Sequence, residues 1–298
     1  MLLALIAFEL IGQVVPEARA SVTLHGATTP FSASTLADHR GRFRFRNVEA
    51  GAYTLSVFMP GRGEERRTIE IGPGTADKDR RVRVTTHVKE SVDDLKREST
   101  VSMAELAVPD KARREYANAQ KKLAQRNTAG AMAHLERAIE IAPDFAAAWN
   151  NLGTIAYQTR RYKEAEVYFR RGLQADPGAY EPLVNLGGVL LNLNKVEEAL
   201  KYNLYAVLTR PGDALANSQL GMTYFEVGNL DLARKYLEAA KRLDAAHFSH
   251  PQLLLTEIHL RQGRKEAAAA ELEHFLEHHP DWKDAAKMRD AIAKLKGK

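Results

Sequence analysis

No cysteine occurs in the 298-residue chain. Disulfides and thiolate metal sites are therefore excluded, and the absence is neutral about redox compartment. No long hydrophobic run occurs either. Met1–Phe8, MLLALIAF, is apolar but too short to span a bilayer. An excess of one charge is also missing: 43 Lys and Arg stand against 38 Asp and Glu, a formal net charge of +5. These charges are spread and mixed in sign, so the chain does not read as a nucleic-acid binder.

Motifs that carry chemistry are missing as well. Gly61-Arg62-Gly63 and Gly72-Pro73-Gly74 have the form of hairpin turns, not of a phosphate loop. No serine sits in a nucleophile-elbow context. Paired acids such as Glu197-Glu198 and Asp93-Asp94 lie on amphipathic or connector stretches and read as solvated. His274 and His278 are one helical turn apart, a spacing at which two imidazoles can share a metal. Yet no glutamate follows the first of them, and no third ligand is evident. His247 and His250 fall in a loop. The sequence thus offers no catalytic set, no cofactor site and no metal site.

What the chain does have is a repeat. Trp149–Pro177, WNNLGTIAYQTRRYKEAEVYFRRGLQADP, reads as two helices with a turn at Thr159-Arg160-Arg161. Trp149, Leu152, Ala156 and Tyr157 mark the apolar face of the first helix. Tyr162, Ala165, Phe169 and Leu173 mark the second, at three- and four-residue spacing. The same pattern recurs every 34 residues, at Glu115–Pro143, Leu183–Pro211 and Asn217–Ala245, and again at Gln252–Pro280 after one inserted residue. A small residue recurs in each second helix at Ala131, Ala165, Ala199, Ala233 and Ala268. Self-similarity at this period means an array of helical hairpins. The Trp–Leu-Gly–Ala–Phe–Pro pattern of Trp149–Pro177 resembles the tetratricopeptide repeat (TPR) family. That resemblance implies a helical solenoid whose first helices line a concave groove for a peptide or partner protein. After Pro280, Trp282, Ala285, Met288, Ile292 and Leu295 recur at helical spacing, the form of a helix that covers the exposed end of such a stack.

From about Ile11 to Val88 the period is two instead. Val22 and Leu24, Phe43 and Phe45, and Tyr53, Leu55, Val57 and Met59 alternate with other residues. Ile69, Ile71, Val82, Val84 and Val88 follow. Turn signals at His25-Gly26, Asp38–Gly41, Glu49–Gly51, Pro60–Gly63 and Gly72–Gly74 separate these runs. The expectation is a small antiparallel β-sandwich. Asp38, Gly41, Phe43, Phe45, Gly51, Tyr53 and Leu55 resemble the carboxypeptidase regulatory-like domain, a transthyretin-like sandwich. That resemblance implies a non-catalytic module, often found at the cell surface or in exported bacterial proteins.

The chain is accordingly read as multidomain, an all-β sandwich followed by an all-α TPR solenoid. Residues 1–10 form a signal-like apolar segment, with a first β-strand as the alternative reading. Residues 11–88 form the sandwich and 89–110 a charged linker, in which Val101, Met103, Leu106 and Val108 are apolar. Residues 111–281 form five repeats, at about 112–145, 146–179, 180–213, 214–248 and 249–281, and residues 282–298 a capping helix. Asp110 is expected to cap the first helix. No stable membrane span is expected in the mature chain. Ala18-Arg19-Ala20 has the form of a cleavage site, and the expected location is exported, periplasmic or at a bacterial cell surface, with the cytoplasm as the alternative.

Candidate contacts follow from the repeat. Asn151, Asn185 and Gln219 occupy one slot of successive first helices, so their amides would form a row suited to an extended peptide backbone. Asn150, Tyr157, Asn192, Phe225 and Glu226 sit nearby. The other reading is solvated side chains. Ala117 and Leu254 limit the row to three rungs, and Arg113 alone does not make a carboxylate clamp. Asn203 falls in a core slot whose counterparts are Leu135, Phe169, Leu237 and Leu272, so a partner for its amide is expected. Arg40, Arg42, Arg44 and Arg46 alternate, which would put guanidinium groups on one strand face. They either bind an anionic polymer, such as an envelope glycan, or pair with carboxylates such as Glu64 and Glu65. The function expected is a non-enzymatic scaffold holding a protein or peptide partner, with the sandwich as an anchor. Glycan binding through the sandwich is the alternative. Oligomeric state is not set by the sequence.

Overall fold

The computed structural model describes residues 7–89 and 107–297. Residues 1–6 of the signal-like segment, and Val101, Met103 and Leu106 of the linker, lie outside the described residues. The chain forms two compact units, divided between Asn185 and Leu186.

The first unit opens with seven strands: β1 (Phe8–Val15), β2 (Ser21–Gly26), β3 (Ser32–Leu36), β4 (Arg42–Val48), β5 (Gly51–Met59), β6 (Gly63–Ile71) and β7 (Arg81–His87). Alternation places them, because successive side chains of a strand face opposite ways. Leu24, Phe43, Leu55, Val57 and Ile71 all point into one core between two sheets. One sheet has the order β4–β1–β7 and the other β3–β2–β5–β6. The expected sandwich departs from antiparallel pairing in one place: β1 and β7 run parallel, from Glu9 beside Arg81 to Val15 beside His87. Residues 8–10, placed in sequence with the signal-like segment, belong to β1, where Leu10 and Val14 are fully buried. Ala18-Arg19-Ala20 lies in the link from β1 to β2, so a cut there would strip β1 from its sheet.

The turn into β4 explains its Asp-x-x-Gly form. The Asp38 carboxylate accepts the backbone N–H groups of Arg40 and Arg42, both at 2.9 Å, and the Arg42 Nε at 3.0 Å. The Arg42 amide first, then the Arg42 guanidinium and the Arg40 amide, hold its pKa down at about 2. Gly41 closes the turn at φ 71°, and a Cβ there would lie 2.5 Å from the Val14 carbonyl oxygen. Asp77 repeats the device before β7, accepting the N–H groups of Asp79 and Arg81 at 2.9 Å.

Helical hairpins follow. The first unit holds α1 (Asp110–Ala124), α2 (Thr128–Ile141), α3 (Ala146–Gln158) and α4 (Tyr162–Ala175), and α5 (Tyr180–Asn192) carries the boundary. The second unit continues with α6 (Val196–Thr209), α7 (Ala214–Glu226), α8 (Leu230–Leu243), α9 (Pro251–Arg261), α10 (Lys265–His278) and α11 (Ala285–Leu295). Each hairpin turns at a residue of positive φ in the same slot: Arg126, Arg160, Asn194, Gly228 and Gly263. A left-handed residue there ends the first helix and reverses the chain. Pro109, not Asp110, takes the N-cap of α1, so Asp110 is the first helical residue and makes no cap bond. Val108 packs into the core of the first hairpin.

One contact recurs inside the hairpins. Gly153 of α3 lies under Phe169 of α4, and a Cβ on it would meet the ring at 2.5 Å. Gly221 lies likewise under Leu237, at 2.7 Å. In the third hairpin Gly187 faces Asn203. The Asn203 Nδ2 donates to Thr223 Oγ1 at 2.9 Å, which is the partner expected. Its Oδ1 is buried without a hydrogen-bond partner among the described residues.

A second contact ties the second, fourth and fifth hairpins to the loops before them. The Trp149 indole N–H donates to the Pro143 carbonyl at 2.7 Å. The same slot holds Asn217, bonded to the Pro211 carbonyl at 2.9 Å, and Gln252, bonded to the Ala245 carbonyl at 2.6 Å. Three unlike side chains thus supply one N–H to one carbonyl. Trp149→Phe keeps the ring and removes the donor. A loss of about 0.5–1.5 kcal/mol is expected, read from the urea midpoint. At the far end, Met288 and Leu295 of α11 and the buried Ile292 pack on Ala269 and Leu272 of α10, as a capping helix should.

Candidate partner-binding site

The candidate amides lie on the first helices, but they are bonded to one another more than a solvated row would be. Asn151 Nδ2 donates to Tyr116 Oη of α1 at 3.1 Å. Asn185 Nδ2 donates to Asn150 Oδ1 at 2.9 Å. Each bond links one first helix to the next within the first unit. An amide has two acceptor lone pairs and two N–H donors, so each keeps hydrogen-bonding capacity beyond these bonds. Asn150, Asn151 and Asn185 are all half-buried.

Gln219 departs from the expected row. It is 8% exposed, packs its amide nitrogen on Gly188, and leaves its Oε1 buried without a partner among the described residues. The physical reason is Gly188 itself. That slot carries Thr154 on α3 and Met222 on α7, but on α5 it has no side chain, and the longer amide folds into the notch. Tyr157 is half-buried and stacks edge-on against Tyr162 at 5.5 Å. Asn192 is exposed, with its Nδ2 on the Gly188 carbonyl at 3.0 Å. Phe225 is half-buried under the Arg261 guanidinium, 4.6 Å from the ring centre. Glu226 is exposed at the end of α7. Sequence reasoning missed Met222 and Leu260, exposed apolar residues of α7 and α9 at 36% and 41%. Met222 was findable, since it lies two 34-residue steps from Thr154.

The arginines of β4 are exposed, but their partners differ from those expected. Arg42 pairs with Asp38 at 2.9 Å, and Arg44 and Arg46 reach Glu9 of β1 at 3.4 and 3.7 Å. Glu64 is bonded to Ser56 and to Arg66 instead, because it lies in the other sheet. Arg40 is in the turn and not on the strand. Arg81 and Arg83 of β7 face acids too, Glu9, Asp79 and Asp77, at 3.1–3.5 Å. The face is basic in appearance but closely matched by carboxylates.

The histidines do not gather a metal set. His274 and His278 stack at 4.4 Å, and the His278 Nδ1 bonds the His274 carbonyl at 2.9 Å. Burial first, then the His278 and Lys241 charges, lowers the His274 pKa. Among the described residues, no group of three or more His, Asp or Glu is placed to hold a metal ion. Nor, among those residues, is any helix long and apolar enough to cross a membrane.

A sandwich followed by helical hairpins with this recurring Gly–aromatic or Gly–aliphatic contact defines a class: a repeat scaffold with a β-domain at its start. The carboxypeptidase regulatory-like domain model matches residues 11–86, and tetratricopeptide repeat models match residues 116–180 and 214–247. The chain carries a carboxypeptidase regulatory-like domain followed by tetratricopeptide repeats, the architecture of a protein-interaction scaffold. It is 31% identical over 113 residues to the human cell division cycle protein 16 homolog, covering 35% of this chain and 18% of that protein. It is 28% identical over 154 residues to anaphase-promoting complex subunit 7 of Arabidopsis thaliana, covering 51% of this chain and 27% of that protein. The chain therefore spans under a third of the length of either curated relative. Among solved structures it is similar to PilW, a type IV pilus biogenesis factor. The TM-score is 0.55 at 22% identity, over 62% of this chain and 86% of that one. It is also similar to MamA of Desulfovibrio magneticus RS-1, with a TM-score of 0.52 at 21% identity, over 59% of this chain and 99% of that one. At such identities the likeness speaks for the fold alone.

Proposed function

We propose that the chain is a non-enzymatic scaffold that holds a peptide or partner protein along the first-helix face of its repeats. The observation that carries this reading is the inter-helix amide bonding of Asn150, Asn151 and Asn185, which pre-orders a polar strip before any partner arrives. A pre-ordered strip loses less entropy on binding than a mobile one. In the first unit half-buried Tyr157 adds an aromatic group beside the strip, and on the first helices of the second unit exposed Asn192 and Met222 and half-buried Phe225 offer polar, apolar and aromatic groups of their own. The test is a photo-crosslinking residue at Asn192 or at Met222, with exposed Val167 of the second helix α4 as control. Partner crosslinks from Val167 as strong as from the other two would sink the reading. Asn185→Ala is expected to weaken capture of the crosslinked partner about fivefold, the effect of one hydrogen bond, measured by titration.

The second reading, an envelope glycan or other anionic polymer on Arg42, Arg44 and Arg46, is favoured only by their exposure. Glu9 and Asp38 already engage them. Changing all three to Ser is expected to leave partner capture unchanged. We place the protein outside the bacterial cytoplasm, with the cytoplasm as the alternative. Fractionation of the native cells decides, with the protein expected outside the cytoplasmic fraction; the integral position of β1 makes an N-terminus after Ala20 the outcome not expected.

A further inference from the structure

The sandwich and the first two hairpins keep separate hydrophobic cores. One gathers residues from Phe8 to Val88 and the other residues from Val108 to Ile155, and no described residue belongs to both. What joins them is mostly polar. Arg126, in the α1–α2 turn, reaches Glu49 at 2.9 Å and Tyr53 Oη at 3.5 Å, and lies over the Phe31 ring at 4.7 Å. Gln158 at the end of α3 donates to the Gly26 carbonyl at 2.8 Å. Glu181 at the start of α5 pairs with Arg66 at 3.2 Å. β3 also packs along α1.

These anchors bracket the amide strip. Gln158 lies two turns beyond Asn150 on α3, and Glu181 lies one turn before Asn185 on α5. Asn150 and Asn185 are bonded to each other between them. At about 1.5 Å of rise per residue, the anchors sit roughly 12 Å and 6 Å along the helices from that bond. A folded domain bonded at both ends of so short a strip lies across its middle. The sandwich agrees. Between Gly26 and Arg66, the second sheet aligns exposed His25, half-buried Thr54 and buried Thr68 across β2, β5 and β6, so cover increases toward β6. Thr68 alternates with Ile69 of the core, so it points outward. It is nevertheless only 3% exposed. Arg126 also holds a left-handed backbone, φ 57°, in the slot that Gly228 and Gly263 fill without strain.

We propose that the outer face of the second sheet is the resident occupant of the first-helix face over the first two hairpins and the start of α5, and that a partner must displace it to reach Asn150, Asn151 and Asn185. The contact is built to be released. Its ion pairs are partly exposed, so each is weak and screened by salt. Among the described residues, no shared core has to be broken. The inference rests on the first-helix face being the partner face, but its test is read with no partner present, so the two fail separately.

The chain has no native cysteine, so introduced thiols report cleanly. Spin labels at Lys78→Cys on the sandwich and Lys163→Cys on α4, both exposed, read the distance between sandwich and hairpins. Thr154→Cys, between Asn150 and Gln158 on α3, reads access to the strip by its labelling rate in a separate sample. At low salt one narrow distance and slow labelling are expected. In about 1 M NaCl, where screening acts within about 3 Å, a longer second population should grow. In the Arg66→Ala, Arg126→Ala variant that population should appear at low salt, with labelling roughly tenfold faster, as for a locally opened segment. Arg126→Glu combined with Glu49→Arg should restore the narrow distance, which separates release from misfolding. A broad distance in the unaltered chain at low salt would overturn the proposal. So would a double alanine variant whose distance and labelling rate both match the unaltered chain.

Discussion

Phe169→Ala is expected to destabilise the helical array by about 3–5 kcal/mol, the largest effect of any substitution considered. The ring is 1% exposed, and it fills the space over Gly153 that a side chain there would otherwise take. Alanine leaves that space empty, because Gly153 has nothing to extend into it. The converse substitution, Gly153→Ala, pushes a methyl group into the ring at 2.5 Å and should cost about 1–3 kcal/mol through overpacking. The chain itself shows how the clash is relieved. In the first hairpin the same two slots hold Ala119 and Leu135, both fully buried. Gly153→Ala combined with Phe169→Leu should therefore be less damaging than the sum of its parts, with a coupling of about 1 kcal/mol or more in a double-mutant cycle. Urea titrations followed by far-UV circular dichroism measure Phe169→Ala, and measure Gly153→Ala, Phe169→Leu and their combination to close the cycle. Additive effects would mean that the two residues do not share one space. Because repeat arrays are stabilised by nearest neighbours, the change is expected to loosen α3 and α4 before the sandwich, which has its own core.

Legibility tracked periodicity. The 34-residue spacing put all five hairpins in place, and period-two alternation found the core-facing residues of β2, β4, β5 and β6. β3, SASTL, was invisible. It is an edge strand whose only large apolar residue, Leu36, is 77% exposed, so it has no buried alternation to show. β1 was partly hidden because its apolar residues continue the run that begins at Met1. Its parallel pairing with β7 joins residues more than sixty positions apart, and no turn signal records that. The amide slots were found by spacing, but their state was not. Whether Asn185 faces water or Asn150, and whether Gln219 folds into a notch at Gly188, depends on the neighbouring repeat. The sandwich contact was the least legible. Arg126, Gln158 and Glu181 each meet a residue from a stretch with an unrelated period, so no pattern in either stretch points to the other.

Asn203→Leu is expected to stabilise the array by about 1–3 kcal/mol, a gain where most core substitutions bring a loss. Asn203 is fully buried, and only one end of its amide is used: Nδ2 donates to Thr223, while Oδ1 faces Gly187 with no hydrogen-bond partner among the described residues. Folding strips water from that oxygen and returns nothing, which is the unfavourable half of a half-satisfied amide. Leucine removes the oxygen and fits the slot, since Leu237 sits over Gly221 in the same way one repeat later. Thr223 is not orphaned, because its hydroxyl still donates to the Gln219 carbonyl at 2.7 Å. Asn203→Ala is the control. It removes the same oxygen but leaves a cavity, so any gain should shrink or reverse. If the polar atom sets the stability, the two variants differ in the direction of better packing, with leucine above both alanine and the natural residue. A urea midpoint for leucine below that of the unaltered chain would mean the opposite: that the Asn203 amide and Thr223 together hold α6 against α7 more firmly than any apolar side chain of that volume.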